Sequence, residues 1–250
     1  MAGAALPGRL TWRLARVAEV RPETPRSASL ALEVPGWPGH RPGQHLDVRL
    51  TAEDGYQAQR SYSIASAPDG EWLEMTVERI DDGEVSPYLV EELRAGDQLE
   101  LRGPIGGYFV WEPRLGGPLE LVAGGSGVVP LMAMLRHRAR RGSAAPARLL
   151  YSSRSEDDIL YREELQRLAA ADPTLQVTHT LTRAQPPGWD GYARRIDAGM
   201  LREVSWPPAE RPLAYVCGPT RLVEAVATAL VELGHDPARI RTERFGPTGA

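Results

Sequence analysis

The stretch LELVAGGSGVVP, residues 119–130, decides the fold of this chain. Leu119–Ala123 predicts a short buried strand, and Pro130–Arg140 predicts a helix. Between them, the turn Gly124-Gly125-Ser126-Gly127 lets the phosphates of a ligand approach the backbone, and the start of the helix offers unpaired N–H groups and the positive end of a dipole. This arrangement is typical of dinucleotide sites in open α/β sheets, although a tight turn without a ligand has the same pattern.

The rest of the second half alternates strands with helices. The predicted strands are Leu149–Ser152, Val177–Leu181 and Leu213–Cys217, and the predicted helices are Ile159–Ala170 and Leu222–Leu233. Alternation of this kind with short connections predicts a parallel sheet that has helices on both faces.

The first half has a different pattern, in which short candidate strands alternate with turns. Its candidate strands are Thr11–Val20, Ser29–Val34, His45–Leu50, Ser61–Ala65, Leu73–Arg79 and Gln98–Arg102. Turns rich in Pro, Gly and Asp separate them, which predicts an antiparallel β-barrel or sandwich. One helix near Pro87–Leu93 interrupts the strands, with Ser86 as its expected N-cap and Pro87 at its first position.

These two rhythms predict a two-domain fold. An antiparallel β-barrel domain, residues 1–113, precedes an α/β domain with a parallel sheet, residues 114–250. We expect the boundary within the link Glu112–Pro118, which is rich in Pro and Gly.

The bulk composition excludes several classes of function. The net charge of −4 gives no reason to expect a nucleic-acid partner. No apolar run approaches the ~18 residues of a membrane helix, and residues 1–14 lack a signal-peptide pattern, so we expect a cytoplasmic protein with no membrane span. The single cysteine, Cys217, cannot alone ligate an iron–sulfur cluster, which needs about four cysteines. We therefore expect an organic redox cofactor and no metal.

Two further motifs carry candidate chemistry. Arg60-Ser61-Tyr62-Ser63 places an arginine and an aromatic ring on one face of a strand, and a guanidinium can hold a pyrophosphate through paired N–H donors. Cys217-Gly218-Pro219 ends a strand at the edge where such sheets bind ligands. Taken singly, the first motif could be an edge strand with a solvated arginine, and the second a buried thiol.

Together the motifs resemble the ferredoxin–NADP reductase family of flavoproteins. Six of them occur in the family's order between about residues 10 and 246: Arg60-Ser61-Tyr62-Ser63, Gly83-Glu84-Val85-Ser86, Gly103-Pro104-Ile105-Gly106, Gly124–Pro130, Tyr151–Arg154 and Cys217-Gly218-Pro219. The resemblance implies a flavin-binding barrel followed by a nicotinamide-nucleotide domain.

The resemblance also implies site roles. Arg60 would bind the flavin pyrophosphate, Tyr62 would pack on the isoalloxazine, and Ser63 would lie near its N5 atom. Cys217 would lie near the reacting nicotinamide carbon, where its role is positional. The remaining flavin residues are Ser61, Gly83, Val85 and Ser86, and the remaining nucleotide residues are Gly124, Gly125, Ser126, Gly127, Gly218 and Pro219.

The residues that follow the second predicted strand of the α/β half indicate which nicotinamide nucleotide the chain prefers. A 2′-phosphate favours an arginine there, whereas NAD sites often carry an acid. Ser153 and Arg154 therefore favour NADPH over NADH, and Tyr161 or Arg162 would cover the adenine end. An ion pair from Arg154 to Glu156 or Asp157 would leave little preference.

The tail departs from the plant-type reductases, which end in Glu-x-Tyr with the aromatic ring against the flavin. Here Glu243-Arg244-Phe245 ends a predicted strand, Ile240–Phe245, and five residues follow. Phe245 would either cover the isoalloxazine or form part of the core between the domains. Residues 248–250 are small, and we expect them to be poorly ordered.

The implied function is a flavoprotein oxidoreductase. It would transfer a hydride from NADPH or NADH to bound FAD (or FMN) and then pass electrons to a separate acceptor, such as a ferredoxin or an oxygenase component. The alternatives are a reductase of free flavin or quinone, and a regulatory module that binds a nucleotide without catalysis.

Overall fold

The computed structural model describes residues 10–246, and two sheets account for all its named strands. The strands of the first sheet are β1 (Arg13–Thr24), β2 (Ser27–Glu33), β3 (His45–Thr51), β4 (Gln57–Ser63), β5 (Leu73–Glu78) and β6 (Gln98–Ile105). The strands of the second are β7 (Leu119–Gly124), β8 (Ala147–Ser153), β9 (Leu175–Leu181), β10 (Leu213–Pro219) and β11 (Ile240–Phe245).

The first sheet curls into a barrel. Its order is β4-β3-β6-β1-β2-β5, and every neighbouring pair is antiparallel. The two edge strands approach each other where Ile64 pairs with Met75 and the Ala65 N–H donates to the Glu74 carbonyl at 2.7 Å. Fully buried apolar side chains, among them Leu30 and Leu46, fill the interior. The predicted antiparallel barrel is confirmed.

The second sheet is parallel throughout, in the order β11-β10-β7-β8-β9. Helices α1 (Val128–Arg140) and α2 (Arg162–Ala171) pack on one face, and α3 (Ala198–Val204) and α4 (Thr220–Glu232) pack on the other. Because the chain leaves β7 toward β8 on one side and returns to β10 on the other, the carboxyl end of β7 is a topological switch point, where open sheets bind ligands.

The first predicted helix differs from the expectation. A short π-helix, Tyr88–Glu92, occupies this segment, and Pro87 stands at its start without a side-chain cap. The expected N-cap Ser86 is wrong because the Ser86 hydroxyl accepts a hydrogen bond from the Ile80 N–H at 3.0 Å. Ser86 therefore ties the preceding turn together instead of capping the helix.

Two features of the second half differ as well. Helix α2 begins at Arg162 rather than at Ile159, because Tyr161 is left-handed with φ 56° and cannot continue a helix. Helix α3 was not predicted; it is short, and Asp197 caps it by accepting from the Met200 N–H at 2.8 Å.

The link between the sheets runs from Ile105 to Leu119 and contains a 3₁₀ turn, Pro113–Leu115. The proposed domain boundary after residue 113 lies within this link. The expectation for residues 248–250 falls outside the part of the chain that is described. Within residues 10–246, none of the helices combines the length and apolarity that crossing a bilayer requires.

Candidate functional site

A contact between the two sheets marks the candidate site. The Ser63 hydroxyl, at the end of β4, donates to Oε1 of Glu243 on β11 at 3.4 Å. In the register of β10 with β11, Cys217 pairs with Glu243. Strand β4 of the barrel and the carboxyl ends of β10 and β11 therefore bring Ser63, Cys217 and Glu243 together.

Glu243 was quoted in the tail motif but given no role of its own. Burial raises its pKa to about 7, against the opposing effect of the hydrogen bond from Ser63. A carboxyl group with this pKa is expected to be partly protonated at neutral pH. Its only signal in the sequence is its position in the tail motif Glu243-Arg244-Phe245.

Cys217 is a buried neutral thiol. It is 1% exposed, and burial together with the neighbouring Glu243 raises the thiol pKa well above its ordinary value. A nucleophilic cysteine needs a cation or base that lowers the pKa. The environment therefore supports a positional role.

The glycine-rich turn is built for close backbone contact. A Cβ atom on Gly127 would lie 2.2 Å from the Cys217 carbonyl oxygen, and one on Gly124 would lie 2.7 Å from Leu222. A Cβ on Gly218 would lie 3.1 Å from the Gly124 nitrogen. Only glycines allow these loops to cross so tightly. Gly125 also has a left-handed backbone, with φ 55°, which glycine adopts without steric cost. The crossing places the turn and the start of the 13-residue helix α1 beside Cys217, a cradle suited to a nucleotide's phosphates.

Arg60 lies on the surface of β4, and its guanidinium donates to Glu84 Oε2 at 2.7 Å. Tyr62, two residues along the same face, is half-buried, and burial raises its pKa. Ser61 points the other way: its hydroxyl donates to the buried Asp47 at 2.6 Å. Ser61 can therefore serve a ligand on the Arg60 face only through its backbone.

The turn at Gly83 faces Arg60 through Glu84. The Gly83 N–H donates to the Ile80 carbonyl at 2.9 Å, and a Cβ on Gly83 would lie 3.0 Å from both that oxygen and the Ser86 hydroxyl. Val85 is fully buried and Ser86 nearly so. Their side chains point into the protein, so the turn offers a ligand backbone groups.

The residues after β8 lie at the same edge of the sheet as the glycine-rich turn. The Ser153 hydroxyl is buried and has no hydrogen-bond partner among residues 10–246. Arg154 is exposed and forms no ion pair with Glu156 or Asp157, the two alternative partners; Glu156 pairs with Arg162 instead. The Arg183 N–H donates to the Arg154 carbonyl at 2.8 Å. Sequence reasoning missed this second exposed arginine because it follows a different strand.

Tyr161 does not lie where the sequence analysis expected it. Its ring is 3% exposed, and the Arg136 guanidinium is 5.0 Å from the ring centroid. Its hydroxyl donates to Thr76 of the barrel. The left-handed backbone directs this side chain into the contact surface between the two halves of the chain. The ring therefore cannot cover an adenine, and the expected role of Tyr161 is wrong.

Phe245 lies at the end of β11, opposite Pro219 in the register of β10 with β11. Its side chain is 37% exposed. The alternative of a core residue between the domains is therefore wrong. An exposed ring at this edge lies next to the Cys217-Gly218-Pro219 segment.

Two family models match adjacent parts of the chain. The oxidoreductase FAD-binding domain matches residues 17–110, and the oxidoreductase NAD-binding domain matches residues 121–228. The first match covers the barrel, and the second covers most of the parallel sheet.

Known proteins resemble the chain over most of its length. "Ferredoxin--NADP reductase B" of Sorangium cellulosum is 35% identical, over 92% of this chain and 96% of that protein. The "ferredoxin--NAD(P)(+), reductase component" of a naphthalene 1,2-dioxygenase system from Pseudomonas putida is 31% identical, over 83% of this chain and 61% of that protein. The FAD/NAD-binding domain of nitric oxide dioxygenase from Vibrio cholerae superposes with a TM-score of 0.84 at 27% identity, over 94% of this chain and 99% of that one. The chain belongs to the ferredoxin–NADP reductase family and is an oxidoreductase that uses FAD and NAD(P)H.

Proposed function

We propose that this chain takes a hydride from NAD(P)H, preferably NADPH, onto FAD and passes electrons to a separate acceptor protein. The observation that carries the proposal is the meeting of Ser63 with Glu243 and Cys217 beside the glycine-rich turn. A flavin held along β4 and a nicotinamide held above β7 and β10 would meet at this point.

The residues of the barrel fit a flavin dinucleotide. Arg60 and the backbone of the Gly83–Ser86 turn would hold its phosphates, because charge-assisted N–H donors suit phosphate oxygens. Tyr62 would flank the ring system. When bound, FAD accepts a hydride from the reduced nicotinamide and releases electrons singly.

The remaining site residues would orient the nucleotide and would hold or release a proton. The turn Gly124–Gly127 and the start of α1 would hold the nucleotide phosphates. The neutral thiol of Cys217 would position the nicotinamide without reacting. Glu243, with a pKa of about 7, would hold or release a proton at Oε1, to which Ser63 donates.

The preference for NADPH rests on Arg154 and Arg183. Their backbones are hydrogen-bonded at the carboxyl ends of β8 and β9, and neither guanidinium makes an ion pair with another residue between Leu10 and Gly246. Two arginines that are free to donate would favour a 2′-phosphate. The hydroxyl of Ser153 is buried, so the proposed preference does not rest on it.

A separate acceptor is supported by the relatives and by the cysteine count. The relative from the naphthalene dioxygenase system is named as a reductase component that acts on a ferredoxin. This chain has one cysteine, whereas a cluster needs about four cysteine ligands. The electrons would therefore leave this chain directly from the flavin.

The test is to desalt the purified protein and then supply NADPH with either a plant-type [2Fe–2S] ferredoxin or free FMN as the acceptor. We expect the flavin to stay with the protein and the ferredoxin to be reduced. Loss of the flavin on desalting, with reduction of free FMN alone, would favour the free-flavin reductase. Retained flavin with no oxidation of NADPH would favour the regulatory module.

A further inference from the structure

Tyr56 is a large aromatic side chain that lies at the surface beside the candidate phosphate clamp. It directly precedes β4, four residues before Arg60, and is 57% exposed. Isolated apolar residues on a surface need no explanation, but one that adjoins a ligand site does.

The Tyr56 ring is held in place. Its hydroxyl donates to Oε1 of Glu84, and the other oxygen of that carboxylate accepts from Arg60 at 2.7 Å. Its backbone N–H donates to Asp54 at 3.0 Å, and its carbonyl accepts from Ala52 at 2.9 Å. The ring is therefore pre-positioned on the same side of the barrel as the Arg60 guanidinium.

The order of these side chains along the strand matches the order of the parts of FAD. Tyr62, Arg60 and Tyr56 follow one another, with roughly 7 Å between the first two and roughly 13 Å between the last two at about 3.3 Å per residue. FAD runs from isoalloxazine through pyrophosphate to adenine. With Tyr62 at the isoalloxazine and Arg60 at the pyrophosphate, Tyr56 lies on the adenine side.

We propose that Tyr56 is the stacking platform for the adenine of FAD and selects FAD over FMN. The inference rests on the proposed placement of the flavin phosphates at Arg60. A base stacks favourably on an aromatic ring, and an exposed ring fixed through its hydroxyl loses little freedom when it does so. Arg60 has five N–H donors, so it can hold a phosphate while it remains paired with Glu84. FMN ends at its phosphate and would not reach the ring.

The test measures the dissociation constants of FAD and FMN on the flavin-stripped full chain by quenching of flavin fluorescence. Tyr56→Ala should weaken FAD by about tenfold or more and leave FMN unchanged. Tyr56→Phe should keep FAD affinity within about threefold, because the ring remains. Arg60→Ala should weaken both flavins, since both carry a phosphate. Leu14→Ala removes another exposed apolar side chain, 53% exposed on β1, and should change neither.

Equal losses of FAD and FMN affinity in Tyr56→Ala, or no loss of either, would overturn the adenine assignment. The proposed function would survive that result if the wild-type protein binds FAD and NADPH reduces it. A wild-type chain that binds neither flavin would overturn the proposed function and this inference together.

Discussion

The Ser63 hydroxyl donates to Oε1 of Glu243 across 180 positions of sequence, and this bond joins the barrel to the last strand of the parallel sheet. It connects the strand that carries Arg60 and Tyr62 with the strand that carries Phe245 and pairs with Cys217. Residues from both halves of the chain thus contribute to the candidate site, whose geometry depends on how the two sheets pack.

The raised pKa of Glu243 predicts a pH-dependent stability in the flavin-free protein. Its folded pKa of about 7 lies above the ordinary value of 4.5, so the folded state binds more protons between these values. This contribution is fully present below about pH 4.5 and is lost as the pH rises through 7, by at most about 1.4 kcal/mol per pH unit.

Urea unfolding of the wild type and Glu243→Gln at several pH values measures this effect. The variant should gain stability relative to the wild type as the pH rises to 7, and the difference should then level off. The exposed Glu71→Gln serves as a control. A difference between wild type and Glu243→Gln that does not change with pH would contradict the buried carboxyl.

Arg154→Ala should lower kcat/KM for NADPH by roughly tenfold or more and leave kcat/KM for NADH nearly unchanged. A charge-assisted hydrogen bond to the 2′-phosphate contributes roughly 1.5–3 kcal/mol. Steady-state kinetics with both nucleotides checks this, with Arg167→Ala, an exposed arginine of α2, as the matched control. A wild-type preference for NADH would refute the assignment.

Cys217→Ser should slow the reduction of FAD by NADPH and leave FAD binding intact. The thiol is buried and its pKa is raised, so its contribution is the shape that it presents to the nicotinamide. Stopped-flow reduction and the flavin content of the same preparation measure the two effects. Loss of the flavin in this variant would show that Cys217 contributes to flavin binding and not to positioning the nicotinamide.

Phe245→Ala should bind nicotinamide nucleotide more tightly and release it more slowly. An exposed ring at the edge beside Pro219 would compete with the nicotinamide for one face of the flavin. The melting temperature should fall little, because a loss of roughly 3–5 kcal/mol is typical only of a fully buried phenylalanine. Large destabilisation with unchanged nucleotide affinity would reject the gating role.

The sequence predicted both sheets because their turn and periodicity signals are local. Pro and Gly turns separate the strands of the barrel, and the glycine-rich turn after β7 indicates the start of the second, parallel sheet. Tyr161 was misplaced because a positive φ and a hydrogen bond to Thr76 of the other domain leave no trace in local pattern. The same holds for Glu243, whose pKa is raised by burial that only the folded chain creates.

Helix ends were predicted less well where a polar side chain could form its hydrogen bond with more than one backbone group. Ser86 has the chemistry of an N-cap, yet its hydroxyl accepts from Ile80, which only the folded turn brings near. Helix α3 was missed because it is seven residues long, too short to show a helical period.

The proposed function requires this chain to hold FAD at the junction of its domains and to reduce it with NADPH. The most direct test is the visible absorption spectrum of the purified protein, recorded without oxygen before and after one equivalent of NADPH. We predict flavin bands that bleach on addition of NADPH. A colourless protein, or flavin bands that NADPH leaves unchanged, would contradict the account.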